Sequence, residues 1–331
     1  MSDSPVKARE IETEGLSQGK IILKKFLQHK PAIAGLIFMI LFTIFVYSAS
    51  GIHLGSDQAR ITIQGWWKYS HEDLLPMGVC ASGCPSADHP FGQISNGRDY
   101  FALVMRGSEI SLMVMVIIGS LGAFIGTVIG AVSGFFGGII DAVMMRFTDF
   151  IITVPSILIG AVIGHNFGPQ GVVVLAVFLG IFAWTGLARL VRGEFLTLRE
   201  REFVDAARVA GASNTRIIFK HILPNSVGVI IVSTTLLLSS SILIETGLSF
   251  LGFGVKAPDV SLGLLINEYQ SQFTFAPWLF WWPGLILILI ALSINFIGDG
   301  LRDAFDPRQR RDVKRRAMAK KAAQQTATAN Q

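Results

Sequence analysis

Six apolar stretches set the limits on what this chain can fold into: residues 31–50, 110–131, 143–164, 171–188, 227–244 and 278–298. Each is close to the roughly 20 residues a helix needs to cross a bilayer. In lipid every backbone polar group must be satisfied within its own segment, so each stretch is expected to be a helix. With hydrophobic residues at 51% and charged residues at 15%, the composition excludes an ordinary soluble domain. The expected class is an all-α polytopic membrane protein with six transmembrane helices.

An even number of spans leaves both ends on one side, and charge says which. Of the 28 Lys and Arg, all but Arg60, Lys68, Arg98, Arg106 and Lys256 lie on the face with the termini and the loop after the fourth span. The positive-inside rule then predicts a multi-pass membrane protein with both termini and the loop after the fourth span in the cytoplasm. The net charge of +5 needs no nucleic acid, because basic ends act as topology signals and touch anionic membrane lipid. The stretch 21–30 reads as a plain positive anchor before the first span.

The longest charged stretch between spans is residues 199–225, REREFVDAARVAGASNTRIIFKHILPN. Thr197 and Glu200 have capping-box spacing for a helix start. Phe203, Ala206, Ala207 and Ala210 share one face, with Glu200, Arg201, Asp205 and Arg208 around the other. Gly211 ends that helix, Ser213 or Asn214 caps a second one over 215–223, and Pro224 stops it before the fifth span. Two short helices with a glycine elbow result, their small alanines allowing close approach of another surface.

Other features have two readings each. Cys80 and Cys84 lie in the long external loop, 51–107, where a disulfide is the simplest outcome. His71, Glu72, Asp73, Asp88 and His89 are metal-ligating types nearby, but their spacing matches no strong zinc pattern, so no metal site is expected. Gly122, Gly126, Gly130 and Gly134 recur every four residues, a stripe for close helix packing. Arg146 and Asp149 can pair on one helix face, and Pro155 is expected to kink the third span. The fifth span carries Ser233, Thr234, Thr235, Ser239, Ser240 and Ser241, so at least one face is expected to look into a polar path. Glu245, costly in a membrane unless paired or wet, is read either as part of an external gate or as a substrate contact. Ser233, Ser240 and Glu245 are therefore the candidates for a translocation path or gate. Trp278, Trp281 and Trp282 read as interface anchors, and Asp299, Arg302, Asp303 and Asp306 as an ion network at the inner face. No phosphate-binding Gly-x-x-x-x-Gly-Lys-Ser/Thr loop, Gly-x-Ser-x-Gly or His-Glu-x-x-His motif occurs, so no enzyme active site is visible.

The stretch Asp205-Ala206-Ala207, Gly211 and His221-Ile222-Leu223-Pro224 resembles the cytoplasmic coupling loop of ABC importer permeases. That family's pattern is Glu-Ala-Ala, three residues, Gly, nine residues, Ile-x-Leu-Pro; Asp205 and His221 depart from it. His89-Pro-Phe-Gly before the second span resembles the dipeptide/oligopeptide and nickel branch of those permeases, the C-type partner of the pair. So do Glu245-Thr-Gly-Leu-Ser-Phe-Leu-Gly252 and the run Gly298-Asp299-Gly300 to Arg308. The resemblance implies a type I ABC importer permease fold and a non-catalytic subunit for peptide uptake, with a nickel or metal-chelate importer as the alternative and an ATP-independent channel or secondary transporter less favoured. It implies a homologous second permease, two cytoplasmic ATPase subunits and an extracytoplasmic solute-binding protein as partners. ATP and magnesium would be held by the ATPases and no cofactor by this chain. Glu202, Asp205, Ala206, Ala207, Gly211, Ile218, His221, Leu223 and Pro224 are the implied coupling residues. The organisation expected is a cytoplasmic segment 1–30, a first span 31–50, an external loop 51–107, a permease core 108–308 with coupling loop 193–225, and a basic tail 309–331.

Overall fold

The computed structural model describes residues 18–54, 61–63, 65–77 and 83–305. Cys80, Asp306 and the tail 309–331 lie outside them. Helix α1 (Gln18–Phe26) leads into α2 (Lys30–Ser50). The imidazole Nδ1 of His29 caps α2 by accepting the Ala32 N–H at 3.2 Å, with Pro31 in the first turn. The stretch expected to be a plain anchor is thus helical: Phe26 is buried with Ala32 and Ala304, so an apolar stripe docks it on the last helix.

A two-stranded ribbon, β1 (Ile52–Leu54) and β2 (Ile61–Ile63), opens the long loop. The loop closes on Asp99, which caps α3 (Tyr100–Phe136) by accepting the Ala102 N–H at 2.9 Å. At 37 residues, α3 is about 55 Å long, well beyond the expected span 110–131. Gly137 and Gly138, at φ +68° and +55°, reverse the chain into α4 (Gly138–Thr153).

Two expected spans are broken pairs. Helix α4 meets α5 (Ser156–Phe167) at 78° across Pro155, and α6 (Val172–Phe182) meets α7 (Thr185–Arg199) at 40°. The first break has a local cause: Val154, before Pro155, is held extended at φ −85°, ψ 123°. After α8 (Glu202–Val209), helix α9 (Leu223–Phe250) crosses back, followed by α10 (Leu262–Tyr269) and α11 (Pro277–Phe305). Pro283 lies inside α11. It cannot donate to the Leu279 carbonyl, and the buried Tyr100 hydroxyl donates there instead.

Helix α3 is the central post. Its glycine stripe lets α7 approach backbone to backbone: a Cβ on Gly126 would lie 2.9 Å from the Trp184 carbonyl oxygen, and one on Gly130 2.5 Å from that of Ala188. This is the close packing the stripe predicts. One core cluster, around Tyr100, Phe101 and Met105, gathers at the end carrying the long loop; another, around Phe135, Phe195 and Ile217, gathers at the opposite, basic end.

Candidate coupling surface and helix clasp

The basic end is built from the turn between α7 and α9. The expected capping box does not form: Thr197 donates back to the Gly193 carbonyl at 2.9 Å, and α7 runs on to Arg199. Helix α8 begins at Glu202 after Arg201, which is extended and gives no side-chain cap. The inward face also differs from expectation. Val204 and Ala207 are buried, whereas Phe203, Ala206 and Ala210 point out. The reason is that α8 packs inward on a narrow two-residue stripe against Phe195 and Ile217. The outward face carries Phe203, Ala206, Val209 (90% exposed) and Ala210, and Phe219 of the following segment is exposed as well. Glu202 and Asp205 are exposed beside it, with Asp205 paired to Arg208 at 3.1 Å.

Gly211 turns the chain at φ +78°, a left-handed conformation that costs other residues about 1–2 kcal/mol. No atom lies within 4 Å of where its Cβ would be. The glycine is required here by backbone conformation and not by space. Ser213 caps the next segment by accepting the Arg216 N–H at 3.3 Å.

That segment does not stop at Pro224. Residues Asn214–Arg216, a π-helical turn Ile217–Ile222 and α9 form one continuous 37-residue run, Asn214–Phe250. The wider turn explains how. The Leu223 N–H reaches back to the Ile218 carbonyl, Pro224 falls in the first turn of α9 where a missing donor is tolerated, and the Asn225 side chain donates to the His221 carbonyl at 2.6 Å. Ile217 and Ile222 are buried, while Ile218, His221 and Leu223 are half-buried. The candidate coupling residues thus divide into an exposed set on α8 (Glu202, Asp205 and Ala206), the exposed turn residues Gly211 and Pro224, and a packed set (Ala207, Ile218, His221 and Leu223) that roots the surface.

Charges clamp this end. Arg192 makes a two-pronged pair with Asp141, which also accepts from Ser133. Arg199 donates to the Gly134 and Phe135 carbonyls, each at 3.3 Å, covering the C-terminal end of α3. Asp149 pairs with Arg189 of α7 and not with Arg146 as its spacing suggested. A partner across the helix interface wins over an exposed neighbour on the same helix. Of the expected C-terminal ion network, Asp303 faces His29 at 3.6 Å.

Along α9 the hydroxyls do not form one open stripe. Ser233, Thr235, Ser239 and Ser241 are buried, while Ser240 is exposed and donates to the Leu237 carbonyl at 2.9 Å. Glu245 is fully buried. Its carboxylate accepts from Ser249 at 2.7 Å and from Ser111 of α3 at 3.2 Å. Those two hydroxyls in turn accept the backbone N–H groups of Val255, at 3.1 Å, and Leu262, at 3.2 Å. The local motif gave no hint of Ser111, which comes from a helix 134 residues away.

In the long loop, Asp99 is fully buried and holds three groups at once: the α3 cap, His89 Nδ1 at 2.7 Å and Trp67 Nε1 at 2.8 Å. Tyr69 stacks on His89, and Lys68 pairs with Asp88. That hydrogen bond from Lys68 holds the Asp88 carboxyl below its ordinary range. Cys84 is disulfide-bonded. Among the described residues no three His, Cys, Asp or Glu come together as a metal site. Of the expected interface tryptophans, Trp281 is exposed, while Trp282 stacks on Phe91.

Comparison with known proteins gives this geometry a context. The profile described as "Binding-protein-dependent transport system inner membrane component" matches residues 126–311. The chain is 36% identical over 299 residues to the oligopeptide transport system permease protein OppC of Mycobacterium tuberculosis, covering 90% of this chain and 97% of that one. It is 36% identical over 305 residues to the OppC of Haemophilus influenzae, covering 92% and 93%. Among solved structures, the inward-facing MetNI methionine ABC transporter matches with a TM-score of 0.51 at 20% identity, over 62% of this chain and 96% of that one, a likeness of fold. The fold is that of a type I ABC importer permease, and the chain belongs to the family of binding-protein-dependent transport system inner membrane components.

Proposed function

We propose that this chain is one permease subunit of an ATP-driven importer that carries di- or oligopeptides across the cytoplasmic membrane. The observation that carries the reading is similarity over nine-tenths of the chain to permeases named for oligopeptide transport. The basic end, with α1, the α7–α9 turn and the last turn of α11, faces the cytoplasm, in keeping with the weight of Lys and Arg there. Beneath it sit two ATPase subunits, which hold ATP and magnesium; this chain holds neither and contributes no catalytic group. A homologous permease completes the pathway, and a solute-binding protein docks at the loop end.

The coupling surface is the exposed face of α8, with Glu202, Asp205 and Ala206 beside Phe203 and Val209. Ala207, Gly211, Ile218, His221, Leu223 and Pro224 give it shape and root it in α9. When the ATPases close, the packed unit moves as one body, and α7 and α9, joined to it covalently, shift their packing. Access then alternates through a two-state element biased by a ligand this chain never touches.

The test is deletion of the gene, followed by uptake of labelled di- to pentapeptides and labelled nickel, with and without ATP depletion. The expected result is loss of ATP-dependent peptide uptake alone. Loss of nickel uptake alone, or loss indifferent to ATP, overturns the reading.

A further inference from the structure

The geometry points to Glu245 as a positioning residue that carries the movement of α9 to a strap of chain, residues 251–261, at the loop end. The inference rests on the importer reading above and adds an output to it.

The strap joins α9 to α10 and crosses the loop end from one side of α3 to the other. At its start the Phe253 carbonyl lies against Gly164 of α5, so closely that a Cβ there would be 1.5 Å away. Val255 is buried with Ile110, Ile163 and Val172. At its far end Val260 belongs to the cluster of Tyr100 and Met105, Asp259 is 3.9 Å from Arg106, and the Ser261–Leu262 backbone lies against Gly107. Its two feet are tied to one group. The Val255 N–H reaches Glu245 through the Ser249 hydroxyl, and the Leu262 N–H reaches it through the Ser111 hydroxyl.

A buried carboxylate demands donors, and here the donors are hydroxyls that each also accept a strap amide. The strap therefore cannot leave without taking the Val255 and Leu262 amides off the two hydroxyls that Glu245 holds in place as acceptors, leaving buried donors unpaired. Glu245 is carried on the continuous run that begins at Asn214, about 45 Å away along a helix axis. A shift at the coupling end is delivered, through a rigid rod, to the one group that both feet of the strap share. Relays through Ser111 and Ser249 place Glu245 outside any substrate-contacting role and inside the mechanics of the loop end.

The test uses deletion cells complemented with the chain, their native partners present. Two quantities are read: ATP-dependent peptide uptake, and labelling of Phe253→Cys by a membrane-impermeant maleimide with and without ATP depletion, against the chain lacking that substitution. Expected for Glu245→Ala is a tenfold or greater fall in uptake with chain level and co-purifying subunits unchanged. Labelling at 253 should rise and lose its dependence on ATP. Glu245→Gln, which keeps one acceptor oxygen, should retain about a third of uptake, and Ser249→Ala should fall between. Should Glu245→Ala fail to accumulate, the other two variants carry the same readouts. Wild-type uptake in Glu245→Ala, or lost uptake with unchanged labelling in all variants, overturns the assignment. Absence of ATP-dependent uptake in the wild type would instead sink the importer reading, while the labelling still reports whether Glu245 holds the strap.

Discussion

Toward the loop end, α9 meets α10 backbone to backbone across Gly263 and sets leucine side chains on Gly119 of α3 and Gly160 of α5, around one buried carboxyl group. At the basic end, the same helix grows out of a turn held by paired arginines and a small apolar root, with exposed side chains on its outer face. The first region is close-packed and intolerant of added volume. The second has open space around its elbow and relies on backbone conformation and on charges partly in contact with solvent. Close-packed regions shift between discrete arrangements and do not deform gradually. A coupling surface, in contrast, must stay accessible to a partner while keeping its shape. The difference suits the proposed importer, in which force would arrive at one end and be resolved into two states at the other.

The sharpest way to break this comparison is to put a side chain on one glycine at each end. Gly164→Ala puts a Cβ 1.5 Å from the Phe253 carbonyl oxygen, and overpacking of that kind costs about 3 kcal/mol or more. The expected outcome is a chain that inserts but fails to co-purify as a stable complex, read by thermal unfolding of the detergent-solubilised assembly. A normal melting temperature would show that the strap is not wedged against α5.

Gly211→Val should be milder in stability and comparable in function. Its Cβ meets nothing within 4 Å, so the cost is that of a left-handed β-branched residue, on the order of 2 kcal/mol. Membrane insertion should stay intact while uptake fails through uncoupling or loss of the ATPases. Gly211→Asn, which visits this backbone region more readily, should recover most of the uptake. Equal failure of Asn and Val would point to a need for space in the bound complex.

These two glycines show what the sequence made legible. Gly211 could be read as a left-handed helix end because its neighbours form a helix-stop pattern; Gly164 could not, because what touches it is a carbonyl 89 positions later in the chain. The same division runs through the fold. Pro155 announced its break, since the residue before a proline avoids the helical region. Pro224 misled, because a stop signal in local terms becomes a tolerated first-turn proline once a π-helical turn precedes it. The bend between α6 and α7 at Ala183 and Trp184 carries no proline or glycine at the break. Asp149 had Arg146 three residues earlier on its own helix, but the helix interface supplied Arg189. The outward face of α8 was inverted for Phe203 and Ala206 because a short helix buries only the side its neighbours reach, and hydrophobicity alone does not say which side that is. Tyr100 and Pro283, invisible as a pair in the sequence, solve one missing hydrogen bond between them.

Asp141→Asn tests the charged clamp by itself. It keeps size and removes the charge that Arg192 grips from two sides. Truncating a half-buried charged hydrogen bond of this kind costs about 1.5–3 kcal/mol. The expected loss is in coupling, seen as ATP hydrolysis by the complex that no longer responds to the loaded binding protein. Added salt should reproduce part of the effect at this end and none of it at the Glu245 clasp, since exposed and half-buried pairs are screened and dry ones are not. Salt-insensitive loss at Asp141 would remove the distinction between the two ends.

The smallest effect is expected from the Lys68–Asp88 pair in the long loop, at the loop end but in water. Its hydrogen bond lowers the Asp88 pKa and raises that of Lys68. A lowered carboxyl contributes stability above its unfolded value, near 4, and loses it as pH falls through the folded one; a raised amine contributes below its unfolded value, near 10, and loses it as pH rises further. The pair's contribution is therefore flat across neutral pH and fades at both extremes. Asp88→Asn should change the rate at which an added protease cuts the loop by less than about twofold at pH 7, as for exposed pairs in general, and the difference from wild type should vanish once the pH falls below the lowered pKa of the folded Asp88 carboxyl. A larger change at neutral pH would mean that this loop is held by charge as firmly as the basic end, and that packing is not what sets the loop end apart.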